Sequence, residues 1–265
     1  MRKIRLDSAH KGANFEVAST SHPYRQAMDA YVRSAEAYDL IQESRGRSYE
    51  DHATTMAALV RSRCRSATSL LDVACGTGKH LAAFAAGFSD LAGVDLSSAM
   101  LARARERVPE AALHEANMLN FDLGRTFDVV TCLFSSIGYF TAIDDVRTAI
   151  ANMARHVSAG GLLIVEPWIH PDGWRVPHLV AEAANAPGIS VARVSTNGRR
   201  GHISTFELHW TIATEDGVEQ FVEPHELGLY TVDEYVAAFE AAGLIVEHDP
   251  VGLIGRGLFI GSRSA

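Results

Sequence analysis

The stretch LLDVACGTGKHL, residues 70–81, decides the fold of this chain. Its apolar run ends at an acid, Asp72, and is followed by Gly76, Gly78 and then apolar residues at helical spacing as far as Phe88. Glycines at such a turn adopt backbone conformations that other residues resist, and they let a ligand approach the main chain. The stretch therefore predicts a strand, a tight turn and a helix, with a ligand site at the end of the strand.

Strand and helix patterns alternate on both sides of this stretch. Such alternation predicts an α/β protein with a Rossmann-like, doubly wound, mostly parallel seven-stranded sheet that binds ligands at the carboxyl ends of its strands. Apolar periodicity places helices at 24–44, 49–64, 97–107, 143–156 and 231–242. Strands of this sheet are predicted at 69–74, 91–95, 111–116, 127–134, 161–166, 244–249 and 256–262.

A different pattern follows Trp168. Hairpin-like strands are predicted at 188–195, 203–213 and 218–229, with turns at Asn197-Gly198 and Asp216-Gly217. The chain is accordingly divided into a flexible arm, a ligand-binding core with N-terminal helices, an inserted antiparallel β subdomain over the active site, and a C-terminal helix and strands that complete the core. These four parts are residues 1–23, 24–168, 169–230 and 231–265.

Composition and charge narrow the possible functions. The net charge of −8 and the pI near 5.8 oppose general attraction to nucleic acids. The N-terminus lacks the apolar core of a signal peptide, and no apolar stretch has the length of a membrane span. Cys64, Cys75 and Cys132 lack the spacing of a metal site or a disulfide framework. We therefore expect a cytoplasmic protein with a small-molecule substrate and no metal, nucleic-acid or membrane partner.

Two acids at neighbouring strand ends indicate which ligand the turn binds. Asp72 would repel the pyrophosphate of a dinucleotide, and Leu81 stands where a GxGxxG fingerprint has its third glycine. The same carboxylate suits the cationic amino group of S-adenosylmethionine (SAM), and Asp95 suits its ribose hydroxyls. Asn117 and Met118 follow the third strand, where an amide and a thioether suit adenine. The predicted cofactor is therefore SAM, released as S-adenosylhomocysteine.

Several segments carry a resemblance to a known family. With GVDLSSAML (93–101), the first stretch resembles the signature of class I SAM-dependent methyltransferases. The segments LFSSIGY (133–139), VEPW (165–168) and GRGLF (255–259), with FELHW (206–210), resemble the N,N-dimethyltransferases that act on TDP-linked amino-deoxysugars in macrolide pathways. The resemblance implies a Rossmann-like core, an antiparallel subdomain over the active site, a TDP-sugar substrate and two methylations of one amine.

The pattern and the resemblance together indicate the site residues. By resemblance, Tyr38 and Tyr49 border the cofactor and the sugar phosphate, while Ser136 and Arg256 meet the diphosphate. Tryptophans 168, 174 and 210 are candidates for a platform under the base, and Arg193 for a second phosphate contact. The expected cofactor contacts are Tyr38, Asp72, Ala74, Gly76, Gly78, His80, Asp95, Leu96, Met100, Asn117, Met118 and Leu133. The expected substrate contacts are Tyr49, Ser136, Trp168, Arg193, Trp210 and Arg256.

Three residues are candidates for catalysis. A sulfonium methyl needs little activation, so the main task is to align a neutral amine with the methyl group. Tyr139 is expected to orient this amine, because its unperturbed pKa of about 10 makes it a poor base. Proton removal is left to water, Glu166 or His225.

Other functions stay open at this point. The amino-sugar enzymes read SSIGH where this chain has Tyr139, so another small-molecule amine or hydroxyl in a natural-product pathway is the alternative acceptor. A nucleic-acid methyltransferase is disfavoured, because the fourth strand does not lead to the Asn/Asp-Pro-Pro-aromatic string. A homodimer is possible if the outer face of the antiparallel insert is buried against a second copy.

Overall fold

The structure, a computed structural model, describes Ser34 and residues 37–265. The predicted arm at 1–23 and most of the predicted helix at 24–44 lie outside the described residues. Helical turns are described over 37–44, and we label them α1. Among the described helices, none is long and apolar enough to cross a bilayer.

The remaining elements follow the predicted order. In the core, their ends differ from prediction by a few residues; α3, for example, ends at Phe84 instead of Phe88. In chain order they are α2 (Tyr49–Arg63), β1 (Ser69–Val73), α3 (Lys79–Phe84), β2 (Asp90–Asp95), α4 (Ser98–Arg107), β3 (Ala112–Glu115), β4 (Phe127–Cys132), the 3-10 turn η1 (Ser136–Tyr139), α5 (Ile143–Arg155), β5 (Val157–Val165), β6 (Val180–Ala186), β7 (Ile189–Arg200), β8 (Ile203–Thr214), β9 (Gly217–Gly228), α6 (Val232–Ala241), β10 (Ile245–Asp249) and β11 (Leu258–Ser262).

The larger sheet has seven strands in the order β10-β11-β5-β4-β1-β2-β3. Strands β1 to β5 pair in parallel, and β11 lies antiparallel between β5 and β10. This confirms the predicted fold class. The chain leaves β1 toward β2 on one side and returns to β4 on the other, so the carboxyl ends of β1 and β4 flank a topological switch point. Open α/β sheets bind ligands at such points.

Helices pack on both faces of the larger sheet at β1, which explains why the sequence of this strand is mostly apolar. Every residue of β1 is buried. Leu71 and Val73 pack on one face with Ile150 of α5, whereas Leu70 packs on the other face with Met56 of α2. A parallel strand covered by helices on both faces needs apolar residues at every position.

Side chains cap three of the described helices. The Ser48 hydroxyl accepts a hydrogen bond from the Asp51 N–H at 3.0 Å at the start of α2, and the Ser97 hydroxyl accepts one from the Met100 N–H at 3.3 Å at the start of α4. Thr231 and Glu234 form a reciprocal capping box at the start of α6. Gly243, at φ +79°, follows the end of that helix.

The antiparallel insert forms a separate four-stranded sheet in the order β6-β7-β8-β9. The sequence analysis missed β6, whose segment VAEAANA has one β-branched residue and is rich in alanine, which strands disfavour. The predicted turn at Asn197-Gly198 is wrong, because both residues lie within β7 and pair with Phe206 and Thr205 of β8. The chain reverses at Gly201 instead, where φ is +61°. The second reversal, at 215–216, lies beside the predicted position.

Candidate active site

A cavity lies between the carboxyl ends of β1, β2 and β4 and the inner face of the smaller sheet. One half is lined by the glycine turn and the predicted cofactor residues, and the other by aromatic and cationic residues. Of the predicted site residues, these line it: Tyr38, Tyr49, Asp72, Ala74, Gly76, His80, Asp95, Leu96, Met100, Met118, Leu133, Ser136, Tyr139, Trp168, Arg193 and Arg256.

The glycine turn exposes its backbone to the cavity at one position and packs against the core at another. Ala74, Gly76 and Gly78 all have positive φ, at 60°, 56° and 77°. A Cβ on Gly76 would meet nothing within 4 Å, whereas one on Gly78 would lie 3.0 Å from the Ala104 Cβ. Gly78 does not line the cavity, which corrects its predicted role as a cofactor contact. It instead lets α3 begin close against α4.

Asp95 joins the glycine turn to the end of β2. Its Oδ2 accepts a hydrogen bond from the Gly76 N–H, and its Oδ1 accepts one from the Ser97 N–H, both at 2.8 Å. Burial raises the pKa of this carboxyl, and these backbone donors oppose the shift. The carboxylate is thereby fixed in position at the rim of the cavity.

Asp72 lies deeper, at the end of β1, and is 3% exposed. Its Oδ1 accepts a hydrogen bond of 2.7 Å from the Thr131 hydroxyl. Burial raises the Asp72 pKa to about 7; the Thr131 hydrogen bond opposes this shift and the Asp95 charge adds to it. A buried carboxyl that resists ionisation is suited to a cationic ligand, because the cation would favour its charged form.

The residues predicted to contact adenine do not all line the cavity. Leu96, Met100, Met118 and Leu133 line the cavity, but Asn117 does not. The Asn117 Oδ1 accepts a hydrogen bond from the Leu119 N–H at 2.9 Å. This local turn engages the side-chain oxygen, and a contact of Asn117 with the adenine edge stays a prediction.

An aromatic cluster covers the cofactor half near α2. His80 stacks on Phe84 and meets Phe134 edge-on, with ring centroids 5.9 and 4.6 Å apart. The His52 Nδ1 lies 3.3 Å from the His80 Nε2. Burial, with the His52 and Arg47 charges, lowers the His80 pKa to about 3, so this imidazole is neutral at physiological pH.

Sequence reasoning missed Asp39, which ties α1 to the glycine turn. Its carboxylate accepts hydrogen bonds from the Thr77 hydroxyl at 3.0 Å and from the Arg107 Nη2, also at 3.0 Å. Lys79 lies 3.9 Å from the same carboxylate. These partners are distant along the chain, so no local motif marks Asp39. Tyr38 lines the cavity beside it, with a pKa raised by burial.

Arg256 dominates the substrate half. Its guanidinium lies 4.3 Å from the Trp168 ring centroid, and its Nη1 donates to the Ser135 hydroxyl at 2.7 Å. Burial, reinforced by the Arg47 charge, lowers its pKa to about 10, so it remains cationic. A desolvated guanidinium held on an aromatic face is suited to gripping an anionic group.

The aromatic platform differs from the prediction. Phe206 lies within 5.8 Å of Trp168 and 6.4 Å of Trp174, measured between ring centroids. Trp210, which was predicted to contact substrate, is 2% exposed and packs with Ile41 of α1, away from the cavity lining. Its Nε1 donates to the Glu223 Oε2 at 2.7 Å.

Three further arginines line the cavity: Arg45, Arg47 and Arg193. Arg193 lies 4.9 Å from the Trp210 ring centroid, and its Nε donates to the Glu182 Oε2 at 3.0 Å. Arg47 was missed by the sequence analysis; its Nη1 donates to the Gln42 Oε1 at 2.7 Å and its guanidinium lies 5.1 Å from the Phe134 ring centroid. With Arg256, these residues make the substrate half cationic.

The three predicted catalytic residues are arranged in two layers. Tyr139 lines the cavity, and its hydroxyl lies 3.0 Å from the His225 Nδ1. His225 is 3% exposed and lies behind Tyr139, not in the cavity lining. Glu166 is fully buried, and its Oε2 accepts a hydrogen bond from the Phe134 N–H at 2.8 Å. The structure thus corrects direct substrate contact for His225 and Glu166, because both are covered by the residues they support.

Glu166 has an environment of its own. Burial raises its pKa to about 6; the Phe134 hydrogen bond and the Arg256 and Arg47 charges oppose this shift. Its contact with Phe134 holds a residue in the left-handed region, with φ at 51°. Glu166 therefore supports the loop that leads from β4 to Ser136 and Tyr139.

The residues of the cofactor half fit SAM. Asp72 offers a buried acceptor for a cation, Asp95 a fixed acceptor at the end of β2, and Gly76 an open backbone. Met100, Met118 and Leu133 add apolar surface of the kind that covers a planar base.

Comparisons with known proteins agree with this geometry. A family described as a methyltransferase domain matches residues 70–161. A relative from Streptomyces venezuelae, dTDP-3-amino-3,4,6-trideoxy-alpha-D-glucopyranose N,N-dimethyltransferase, is 45% identical, with 87% of this chain and 98% of the relative covered. The dTDP-4-amino-2,3,4,6-tetradeoxy-D-glucose N,N-dimethyltransferase of Saccharopolyspora spinosa is 41% identical, with 87% and 92% covered.

A solved structure shows the same architecture with cofactor. SAM-bound CalS10, an amino pentose methyltransferase from Micromonospora echinaspora involved in calicheamicin biosynthesis, superposes with a TM-score of 0.79 at 38% identity, covering 86% of this chain and 97% of that one. The chain covers more than nine tenths of each of these three proteins. The chain therefore belongs to the family of SAM-dependent methyltransferases that includes the dTDP-amino-sugar N,N-dimethyltransferases.

Proposed function

We propose that this enzyme methylates the amino group of a TDP-linked amino-deoxysugar in secondary metabolism, with SAM as methyl donor. The observation that carries the proposal is the Arg256 guanidinium, packed against Trp168 and hydrogen-bonded to Ser135, in the same cavity as Asp72. A nucleoside diphosphate needs cations and an aromatic surface, and an amine needs an unobstructed approach to the methyl group. Relatives with 41% to 45% identity act on such sugars, which supports the same substrate class.

The cofactor half positions the donor. When bound, SAM supplies an electrophilic methyl group on its sulfonium. Asp72 accepts hydrogen bonds from the cationic amino group, and Asp95 accepts from the ribose hydroxyls while holding the Gly76 backbone. Met118 and Leu133 cover the adenine. Because the donor is held in a fixed position, the rate depends mainly on how well the acceptor amine is aligned with the methyl group.

The substrate half positions the acceptor. Arg256 and Ser136 hold the diphosphate, with Arg193 and Tyr49 at its edge, and the surface formed by Trp168, Trp174 and Phe206 stacks on the base. Tyr139 lies between the two halves and orients the amine. The cationic wall offsets the diphosphate charge, and anchoring there places a short sugar within reach of Tyr139.

Methyl transfer from labelled SAM to purified TDP-amino sugars tests this function. TDP-3-amino and TDP-4-amino deoxysugars form the panel, and the matching TDP-sugars with a hydroxyl in place of the amine are the controls. We expect label in an amino sugar and a mass gain corresponding to two methyl groups. Absence of transfer to every amino sugar, with SAM binding intact, would contradict the proposal. Transfer to a hydroxyl control or a small amine would support the alternative acceptor class.

The insert also suggests a homodimer. Val194 and Val222 lie in register with His209 on the outer face of the smaller sheet, opposite the face that lines the cavity, and each is 50% exposed. Val218, 67% exposed, extends this apolar strip along β9. We expect light scattering to give twice the monomer mass for the wild-type protein and the monomer mass for Val222→Lys. A wild-type protein of monomer mass would contradict the dimer.

A cytoplasmic location, in keeping with the unpaired cysteines of the described residues, completes the proposal.

A further inference from the structure

Behind Tyr139, buried polar groups lie in a row on the inner face of the smaller sheet, with one separation longer than a hydrogen bond. The Tyr139 hydroxyl lies 3.0 Å from the His225 Nδ1, and the His225 Nε2 lies 3.9 Å from the Glu223 Oε2. Trp210 donates to that same Glu223 oxygen at 2.7 Å. His225 and Glu223 alternate along β9, so both side chains point to the cavity side.

The surroundings fix the imidazole plane. Phe206 of β8 is paired with His225 across the sheet and stacks on it, with ring centroids 5.0 Å apart and planes 12° apart. Titratable groups that face His225 include Tyr139 from η1 and Glu223 from β9. His225 and Glu223 are 3% and 4% exposed, so water does not screen them from each other.

This geometry favours one hydrogen-bond direction. A phenol can donate to Nδ1 if the imidazole carries its proton on Nε2, and that proton then points toward the Glu223 carboxylate. Trp210 donates a hydrogen bond to the same carboxylate oxygen, the Glu223 Oε2. In this arrangement Nδ1 accepts a hydrogen bond from the Tyr139 hydroxyl, which lines the cavity.

We propose that Tyr139, His225 and Glu223 form a proton relay that deprotonates the acceptor amine. The N–H bond of the ammonium breaks as an O–H bond forms on Tyr139, while the original O–H bond of Tyr139 breaks and an N–H bond forms at the His225 Nδ1. Glu223 stabilises the resulting imidazolium. Tyr139 touches the substrate, whereas His225 and Glu223 act through it. The relay rests on the proposed function, because it requires an amine acceptor.

The relay resolves the difficulty of using a tyrosine at this position. An isolated phenol has a pKa of about 10 and is a weak base near neutrality. When His225 accepts the phenol proton in the same event, no free phenolate has to form. General base assistance of this kind contributes about 10²- to 10⁴-fold to rate.

The pH dependence of relay variants distinguishes proton transfer from simple orientation. We expect Tyr139→Phe and His225→Gln to lower kcat about 100-fold at neutral pH, where the amine arrives protonated. For His225→Gln, the ratio of wild-type to variant kcat should fall toward one as the pH rises past the amine pKa, since a neutral amine needs no base. For Tyr139→Phe the ratio should also fall, but to the residual loss that misorientation of the amine causes. All measurements are made at saturating SAM, so that Asp72 ionisation does not contribute.

Glu223→Gln is the second variant, because its amide oxygen can still accept from Trp210 while the charge is lost. We expect a loss of about 10-fold at neutral pH with the same recovery at high pH. S-adenosylhomocysteine affinity, measured by calorimetry, shows that each variant is folded. A wild-type to variant ratio that stays constant across the pH range would overturn the relay and leave Tyr139 as an orienting group alone.

A spectroscopic test needs no substrate. Nitrogen-15 chemical shifts of the His225 ring in wild-type enzyme should show that Nε2 carries the proton and that Nδ1 is unprotonated. A proton on Nδ1 in the neutral ring would contradict the relay. Wild-type turnover of amino sugars tests the proposed function separately, so failure of one does not imply failure of the other.

Discussion

The ionisation of Asp72 should couple cofactor binding to proton release. In the free enzyme its pKa is raised to about 7, so about half of the molecules carry a neutral carboxyl at that pH. A ligand ammonium beside Asp72 favours the charged form, and binding must then release the proton. If binding restores the ordinary value of 3.8, the difference of about 3 pKa units corresponds to about 4 kcal/mol of coupling between cation and carboxylate.

The sign follows from linkage. The carboxyl must lose its proton to bind the cation, so affinity rises with pH up to and through about 7 and then levels off. The ionised fraction of Asp72 rises about tenfold between pH 6 and pH 8, and the Kd for S-adenosylhomocysteine should fall about tenfold. Asp72→Asn should weaken binding about 1,000-fold at pH 8, the equivalent of that coupling, and abolish the pH dependence.

Calorimetry in two buffers of different ionisation enthalpy measures both quantities at once. At pH 6 we expect release of nearly one proton per S-adenosylhomocysteine bound to wild-type enzyme, and none for Asp72→Asn. Thr131→Val is the matched control: it removes the hydrogen bond that lowers the Asp72 pKa, so the pH midpoint should move upward. A pH-independent Kd with no proton release would refute the placement of Asp72 beside a cation.

The same structure predicts three further outcomes. Arg256→Gln should raise KM for the nucleotide sugar about 10- to 100-fold while leaving S-adenosylhomocysteine affinity unchanged, because a charge-assisted contact is lost on one side of the cavity; an unchanged KM in steady-state assays would contradict its role. Gly78→Ala should destabilise the fold by about 1–3 kcal/mol in denaturant melts, since φ is +77° and the new Cβ would crowd Ala104. Gly76→Ala is the control, because it introduces the same backbone strain at a position with space for a Cβ. An equal loss of stability in both variants would show that crowding against Ala104 contributes nothing. Glu166 has a folded pKa of about 6, above its ordinary 4.5, so its contribution to the free energy of unfolding is fully present below pH 4.5 and is lost as the pH rises through 6. Glu166→Gln should therefore gain about 2 kcal/mol of stability relative to wild type between pH 4.5 and pH 6. Free energies of unfolding that change in parallel with pH in the two proteins would refute the raised pKa.

The predicted cofactor residues that line the cavity share one property. Asp72, Gly76 and Asp95 follow strands whose apolar runs are unmistakable, so the ends of those strands are visible in the chain itself. Parallel strands bring their carboxyl ends to one edge of the sheet, and that places the two acids together. Met118 and Leu133 follow for the same reason.

The residues that sequence analysis missed or misplaced depend on contacts between distant segments. Asp39 reaches Thr77 from α1, and Phe206 reaches Trp168 across the boundary between the two sheets. Trp210 was assigned to substrate because it is aromatic. It does lie on the inner face of the smaller sheet, paired with Arg193 of β7, but it packs with Ile41 of α1 and does not line the cavity.

The amino-acid sequence by itself determined the order of strands and helices in the core, the position of the glycine turn and the two acids at its edge. Each of these features depends on short-range periodicity and on local backbone preference. Tertiary structure alone decided which side chains face the cavity. His225 lies behind Tyr139 and Glu166 behind Phe134 because burial and strand pairing leave one allowed direction for each. Side-chain direction on a strand changes with a one-residue shift in register, and that register is settled by the packing of the whole sheet.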